Sequence, residues 1–597
     1  MFEAEMAKRK SVNLKYKLFP FLEWLPMLKD SNVLRADLIA GLTVALVLIP
    51  QSMAYAQLAG LPAYFGLYIA FMPVMVAALW GSSKQLATGP VAVVSIMSAT
   101  ALATVAGGIA LDNPDPDVVT RYITLAMLLT LLVGLFQFFL GFFKLGVIVN
   151  FLSHPVIVGF TNAAALVIGL SQLSKIFGVA MPGAASDHFL TVRIWGVLQQ
   201  LGDTHMLTFI MGMGAFAVMF LMKKYTPKIP GVLVAVAATT IISYMIGYEE
   251  RGGSVVGSIP EGLPEFAIPA LNMADFWVLF PSAMIISLVG FMEAISIAKA
   301  MAAKTKDRID PNQELIGQGL GNIVGSFFQS YPSSGSFSRS AVNLNAGALT
   351  GFSSVVTAMI VLITLLFLTP LLYHLPKAVL AAVIMMAVFG LINFSAVKHA
   401  WRANAHDGMA SIATFICTLG FAPHLDKGIL IGAGLALGLY LYRTMKPRVA
   451  MLGRYPDGTL RDLAVNPDLF RDEEIVVLRF DGSLYFANVS YFEDTILEAV
   501  SDNQNAKYIL IVGDGINQLD ASGEEVVHHL ISRLRSNGIT LVFSGLKKQI
   551  LDVMRCTHLF ETLGQENFFA TEDMALEDIY RRLGKEGKDA ILLYQPA

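Results

Sequence analysis

Apolar residues fall along this chain in long blocks. From about Asp37 to Tyr442 one apolar stretch follows another, each near the length that crosses a bilayer as a helix, with short polar loops between them. Beyond Arg443 charges return every few residues, and short apolar runs alternate with amphipathic ones. The shift predicts an N-terminal arm at 1–34, a membrane domain at 35–445, a linker at 446–470 and a soluble-type domain with a C-terminal tail at 471–597.

Composition narrows the class. Of 597 residues, 55% are hydrophobic and only 15% charged, too little polar surface for a soluble protein of this size. The net charge of −3 gives no basis for nucleic-acid binding. Cys417 and Cys556 lie in different contexts, so neither a disulfide nor a metal site is expected, and no motif calls for a cofactor. The basic N-terminal stretch lacks the apolar core and cleavage site of a signal peptide. It is expected to be a retained cytosolic arm with a Phe/Leu/Trp patch against membrane lipid.

Loop charges alternate. Lys223, Lys224 and Lys228, then Lys304, Lys306 and Arg308, then Lys398 and Arg402, then Arg443, Lys446 and Arg448 mark one side. Asp112, Asp115 and Asp117, with Glu249, Glu250, Glu261 and Glu265, mark the other. The positive-inside bias puts the basic set and both termini in the cytosol, so the number of spans is even; twelve to fourteen can be counted.

Two apolar segments are broken in similar ways. Leu86-Ala-Thr-Gly-Pro-Val-Ala-Val-Val-Ser95 and Gln329-Ser-Tyr-Pro-Ser-Ser-Gly-Ser-Phe-Ser-Arg-Ser-Ala341 each set Gly, Pro and hydroxyl residues before a short apolar run. Such pairs mark half-helices starting inside the membrane, in corresponding places of an inverted repeat. Gln51 precedes Thr88, and Glu293 precedes Ser334, by similar intervals. Two half-helix N-termini offer free N–H groups and the positive ends of two dipoles, which favours an anion. Thr88, Ser336 and Ser338 add hydroxyl donors and Arg339 adds positive potential. Glu293, an acid in an apolar helix, reads either as a proton site or as a structural acid paired with a donor. Arg339 could instead snorkel, Gln51 could patch the acceptor freed by Pro50, and Tyr55 could simply pack.

Gly60-Leu-Pro-Ala-Tyr-Phe-Gly-Leu-Tyr68, Trp80-Gly-Ser-Ser-Lys84, Ala87-Thr-Gly-Pro-Val-Ala-Val-Val-Ser95 and Ser330–Asn343 resemble the motifs of the sulfate permease (SulP) family. The resemblance runs in order over nearly the whole chain. It implies an α-helical polytopic membrane protein with fourteen segments in a seven-plus-seven inverted repeat, divided into core and gate domains, and a homodimer. It also implies an anion site at Gln51, Tyr55, Pro90, Val91, Ser336, Phe337, Ser338 and Arg339, with Glu293 matching the acid of proton-coupled members.

In the last quarter, Glu474–Phe480, Phe486–Asn488, Tyr508–Val512 and Ile539–Ser544 read as strands, and Tyr491–Asp502, Ala521–Ser536 and Lys547–Arg555 as helices. The pattern, with Leu519-Asp-Ala-Ser-Gly523, resembles the α/β STAS domain of the family. Asp520 reads as a helix cap, and with Ser522 as a regulatory candidate; Ala521 stands where relatives carry a phosphorylated serine. Together these features predict a proton-coupled symporter of sulfate or a dicarboxylate in a bacterial inner membrane. Sodium-coupled bicarbonate uptake and chloride/bicarbonate exchange stand as alternatives. A membrane scaffold or sensor, recruiting a cytosolic protein through the STAS-like domain, is a further one, and no enzymatic activity is expected.

Overall fold

The computed structural model describes residues 16, 18–106, 115–146, 153–179, 190–226, 230–260, 262–422, 424–455 and 457–585. Residues 1–15 and 17 of the N-terminal arm, Asp112, Lys228, Glu261 and the tail after Lys585 lie outside the described residues. The chain forms two compact units, Met1–Ala436 and Leu437–Ala597.

The first seven membrane segments are α1 (Ser31–Leu58), Phe65–Trp80, β1 (Thr88–Gly89) leading into α2 (Ala92–Ala106), α3 (Pro116–Phe142), His154–Phe177, α4 (Met206–Tyr225) and Gly231–Met245. The second seven are α5 (Met273–Thr305), α6 (Pro311–Ser326), β2 (Ser334–Gly335) leading into α7 (Phe337–Asn345), Phe352–Leu372, α8 (Lys377–Phe389) continuing to Ala403, Ala405–Phe421 and Leu425–Met445. The third member of each set is a two-residue strand followed within three residues by a helix; the sequence predicts the half-helix, and the strand before it is new.

Among the described residues, eight helices are long and apolar enough to span by themselves. α6, of 16 residues, and α7, of 9, are too short to span, and both carry polar residues inward. Glu314, Gln318 and Asn322 recur every fourth position of α6, on one face, and Arg339, Ser340 and Asn343 lie on α7; all six are buried. α6 begins at Asp310, whose carboxylate accepts from the Asn312 and Gln313 amides, with Pro311 in the first turn. It packs along α3 at glycines. A Cβ on Gly134 would lie 2.6 Å from the Ile323 nitrogen, and one on Gly319 2.5 Å from the Phe138 nitrogen, so the two backbones touch.

The second unit is a six-stranded sheet built from β3 (Val449–Arg454), β4 (Leu460–Asp462), β5 (Ile475–Phe480), β6 (Tyr508–Val512), β7 (Thr540–Ser544) and β8 (Phe568–Phe569). The order is β4-β3-β5-β6-β7-β8, parallel from β5 to β8 and antiparallel through β3 and β4. Alternate residues face opposite layers. Val476, Leu478, Ile509, Ile511, Leu541 and Phe543 pack on α9 (Val489–Asp502) and α10 (Ala521–Ser536). Val477, Leu510, Val512 and Val542 pack on α11 (Glu572–Arg582).

Two expectations change here. Residues 446–470, read as a linker, contain β3 and β4; Ala450 and Leu452 face the core from a strand too short to stand out from its charged flanks. Phe486–Asn488, read as a strand, is a turn before α9. Phe486 is 74% exposed there, and its amide donates to Asp520 at 2.9 Å.

Candidate substrate-binding site

The two chain breaks meet. β1 and β2 pair antiparallel with Thr88 opposite Gly335 and Gly89 opposite Ser334, and the Ser336 amide donates to the Ala87 carbonyl at 3.0 Å. This short ladder satisfies backbone groups that neither broken segment satisfies alone, which permits extended chain inside an apolar domain. α2 and α7 begin within three residues of it, so two helix N-termini flank one point.

Small residues let the elements close. Gly89 has φ +143°, and a Cβ there would lie 3.2 Å from Arg339 Nη2. A Cβ on Gly335 would meet Leu86 Cδ1 at 2.8 Å and Ala294 Cα at 3.0 Å. The second approach sets β2 against α5 one residue from Glu293.

Arg339 is fully buried, so it does not snorkel. Its Nη2 donates to the Pro90 carbonyl at 2.8 Å and its Nη1 to Gln51 Oε1 at 3.5 Å, while Nε has no hydrogen-bond partner. One guanidinium therefore ties α7 to the start of α2 and to α1. Gln51 faces Arg339 and does not patch the turn opened by Pro50. Tyr55, one turn further along α1, is buried and lies near Arg339 and Glu293. Glu293 is half-buried on α5; its Oε2 is sealed from solvent and accepts no hydrogen bond.

Val91 is buried, and its carbonyl accepts from the amide and hydroxyl of Ser95. Ser336 is buried, with its hydroxyl 3.4 Å from that of Ser338; Phe337, 57% exposed, and Ser338 turn outward. Gln51, Tyr55, Pro90, Val91, Ser336, Arg339 and Glu293 thus form one cluster, with Phe337 and Ser338 at its edge. Asp520 and Ser522 belong to the other unit, where Asp520 caps α10 through the Gly523 amide at 2.8 Å.

A polar bed that the sequence reading passed over supports the cluster. Glu314 Oε2 accepts from the amides of Ser82 and Ser83 and from the Ser82 hydroxyl. Gln318 Nε2 donates to Glu314 Oε1 at 3.2 Å and to Thr88 Oγ1 at 2.7 Å, reaching β1 directly. Asn322 accepts from the Ser333 amide and hydroxyl, both at 2.8 Å, and donates to Gln137. Ser334 Oγ donates to the Gly290 carbonyl, and the Ala87 amide to Ser340 Oγ. Tyr331 is fully buried, with its hydroxyl beside that of Ser95, and lies near Arg339. The signal for this bed was present: Glu314, Gln318 and Asn322 form a polar stripe at helical spacing.

Known proteins share this architecture. Residues 34–414 match the sulfate permease family and residues 466–575 the STAS domain. The probable sulfate transporter 4.2 of Arabidopsis thaliana is 35% identical over 92% of this chain and 82% of its own. The chloroplastic sulfate transporter 4.1 of the same plant is 35% identical over 95% and 83%. Murine Solute Carrier 26 family member A9, an anion transporter solved in the inward-facing state, superposes with a TM-score of 0.87 at 23% identity, over 95% of each chain. The transmembrane domain of the cyanobacterial bicarbonate transporter BicA superposes with a TM-score of 0.58 at 23% identity, over 68% of this chain and 98% of its own.

Proposed function

Because the chain belongs to the sulfate permease family, we propose that it is a proton-coupled symporter of sulfate or a dicarboxylate, working by alternating access. One observation carries the reading: two half-helix N-termini meet at a paired backbone break beside a buried arginine whose Nε–H has no partner. Amide dipoles, hydroxyls and a guanidinium form a field for an oxyanion and offer little to a cation. The sulfate transporters among its relatives support the choice of cargo.

Bringing in a divalent anion against an interior-negative potential of about 100 mV costs about 4.6 kcal/mol, twice the charge–potential product for one charge. A neutralisable carboxylate at Glu293, near Arg339, supplies a place for one compensating proton, which offsets about half of that cost. With Glu293 charged, it competes with the anion for Arg339; with Glu293 neutral, the guanidinium is released to the anion. Proton and anion therefore bind together, and the α1, α2, α5 and α7 cluster moves as one body against the remaining helices. The reading includes both termini in the cytosol, a homodimer and an STAS domain that regulates without doing chemistry.

The test is uptake of labelled sulfate, a dicarboxylate and bicarbonate into proteoliposomes, each with and without an inward proton gradient and with and without sodium. Gradient-stimulated uptake of sulfate or a dicarboxylate is expected. Sodium-driven bicarbonate uptake indifferent to protons would replace the reading with its bicarbonate alternative. Loss of cellular signalling with intact uptake, on deletion of residues 460–597, would favour the scaffold.

A further inference from the structure

Away from the substrate cluster, α4 and α8 leave a groove of about 520 Å³ between them. Phe216, Phe220, Met386 and Phe389 form its walls, and Lys223 and Lys224 stand at one end. The residues from α4 follow helical spacing, so two aromatic rings and then two ammonium groups line one face in sequence. Phe216 and Phe389 meet edge to face with ring centroids 5.9 Å apart, joining the α4 wall to the α8 wall. Phe220 and Phe389, more than half exposed, leave it open on the outer side.

The two lysines lie in the last turn of α4 and complement its dipole there. That role needs neither the aromatic walls nor the groove. Among the described residues neither lysine has a carboxylate partner; Lys224 Nζ lies 5.2 Å from the Tyr225 ring centroid, and Lys223 has no ion pair. Unpaired cations at the end of a spanning helix, above an apolar trough open to the bilayer, match one kind of molecule: an acyl chain beneath an anionic phosphate. A second copy of this chain fits poorly. A two-fold contact through this face brings lysines against lysines, a like-charge meeting that favours separation.

We propose that the α4/α8 groove is a binding site for an anionic phospholipid, the acyl chain lying along Phe216, Phe220, Met386 and Phe389 and the phosphate held by Lys223 and Lys224. α8 also packs against α1, the helix that carries Gln51 and Tyr55, so the lipid abuts an element in contact with the substrate cluster. The site stands or falls independently of which anion is carried.

The experiment uses the purified full chain in detergent, with phosphatidylglycerol or phosphatidylcholine bearing a photoreactive group on one acyl chain, followed by peptide mapping. Phosphatidylglycerol is expected to label the peptides containing residues 216–220 and 386–389. Replacing both lysines (Lys223→Gln with Lys224→Gln) should cut that labelling by about 30-fold, from about fivefold per lysine at an anionic surface. A second variant, Met386→Trp, fills the trough with both lysines intact and should also lose the label, which keeps the test valid if the lysine variant folds poorly. Equal labelling by phosphatidylcholine would overturn the proposal. So would wild-type labelling of either folded variant, full competition by glycerol phosphate, or cross-links joining two copies at these peptides.

Discussion

The two units bury different things. In the membrane unit the buried set includes four charged residues, Asp37, Asp275, Glu314 and Arg339, and amides such as Gln51, Gln137, Gln318, Asn322 and Asn343. In the STAS unit the buried polar residues among those described are Asn488, Ser544 and Asn567, and the buried charges are none. Its sheet is held by apolar layers on both faces, with ion pairs left at the surface. Burying a charge costs several kcal/mol unless partners compensate for lost water. The STAS unit shows that this chain folds a domain without that cost, so polar burial in the membrane unit marks where folding has been constrained by something else. The four buried charges also differ among themselves. Asp37 accepts from Leu349, Thr350 and the Thr350 hydroxyl, and Asp275 from Arg121, so both are satisfied within the fold. Arg339 keeps an unpartnered donor, and beside it half-buried Glu293 keeps an unpartnered acceptor.

The largest effect is therefore expected at Arg339. Arg339→Ala removes the guanidinium and leaves the Pro90 carbonyl and Gln51 Oε1 buried without their donor. Losing a charge-assisted pair of this kind costs about 3 kcal/mol, or about 100-fold in anion affinity. Titration of sulfate onto the purified protein measures it, and wild-type affinity would erase the distinction between satisfied and unsatisfied charges. Arg339→Lys should recover little, since one ammonium cannot reach both acceptors in the guanidinium geometry.

Glu293→Gln separates coupling from binding. Accumulation driven by a proton gradient should vanish, because the amide cannot titrate, while sulfate–sulfate exchange persists within about tenfold of wild type. Retained proton dependence would assign the coupling to another group. A smaller effect is expected at Glu314, whose bonds all stay inside the fold. Glu314→Gln replaces charge-assisted bonds to Ser82 and Ser83 by neutral ones, at a cost of about 1.5–3 kcal/mol in stability. Through Gln318 and Thr88 it should shift anion affinity only about threefold, so thermal unfolding and sulfate titration of one variant tell support from binding.

Legibility followed the same division. In the STAS unit, β6 and α10 stand at the residues their apolar patterns predict, because β6 buries both faces as a continuous apolar run and α10 buries one regular face. The pattern misleads where a residue leaves the core, as exposed Phe486 does in its turn, and where a strand is too short to stand out from charged flanks, as β3 is. In the membrane unit the breaks at Thr88 and Ser334 were legible because Gly, Pro and Ser cannot continue an apolar helix there. That they pair with each other is a long-range fact no local pattern carries. The Glu314–Gln318–Asn322 stripe was missed for a different reason. Glycines at 317, 319, 321 and 325 lower the apolar contrast of α6, so its polar face reads as a weak helix when it is in fact the helix's buried side.

The smallest effect is expected in the STAS unit, from a surface cluster with more formal charges than the Arg339 site. Lys585 bridges Asp472 and Glu474, at 2.9 and 2.6 Å, and Lys507 holds the other oxygen of Glu474 at 2.5 Å. Hydrogen bonds from Lys507 and Lys585 draw the Glu474 carboxyl down from its ordinary 4.5 to about 2. A depressed carboxylate stabilises the fold above its unfolded-state pKa, so the contribution is present at neutral pH and fades as pH falls from about 4.5 toward 2. Solvent screens this pair, and exposed ion pairs hold little net stability. Lys585→Ala should leave sulfate affinity and proton coupling unchanged. It should slightly raise hydrogen exchange of β5 at pH 7, and the difference from wild type should shrink as the pH is lowered through that window. A loss of transport comparable to that of Arg339→Ala would mean that charge at the sheet's edge matters as much as charge buried at the chain breaks, and the contrast between the two units would no longer mark the site.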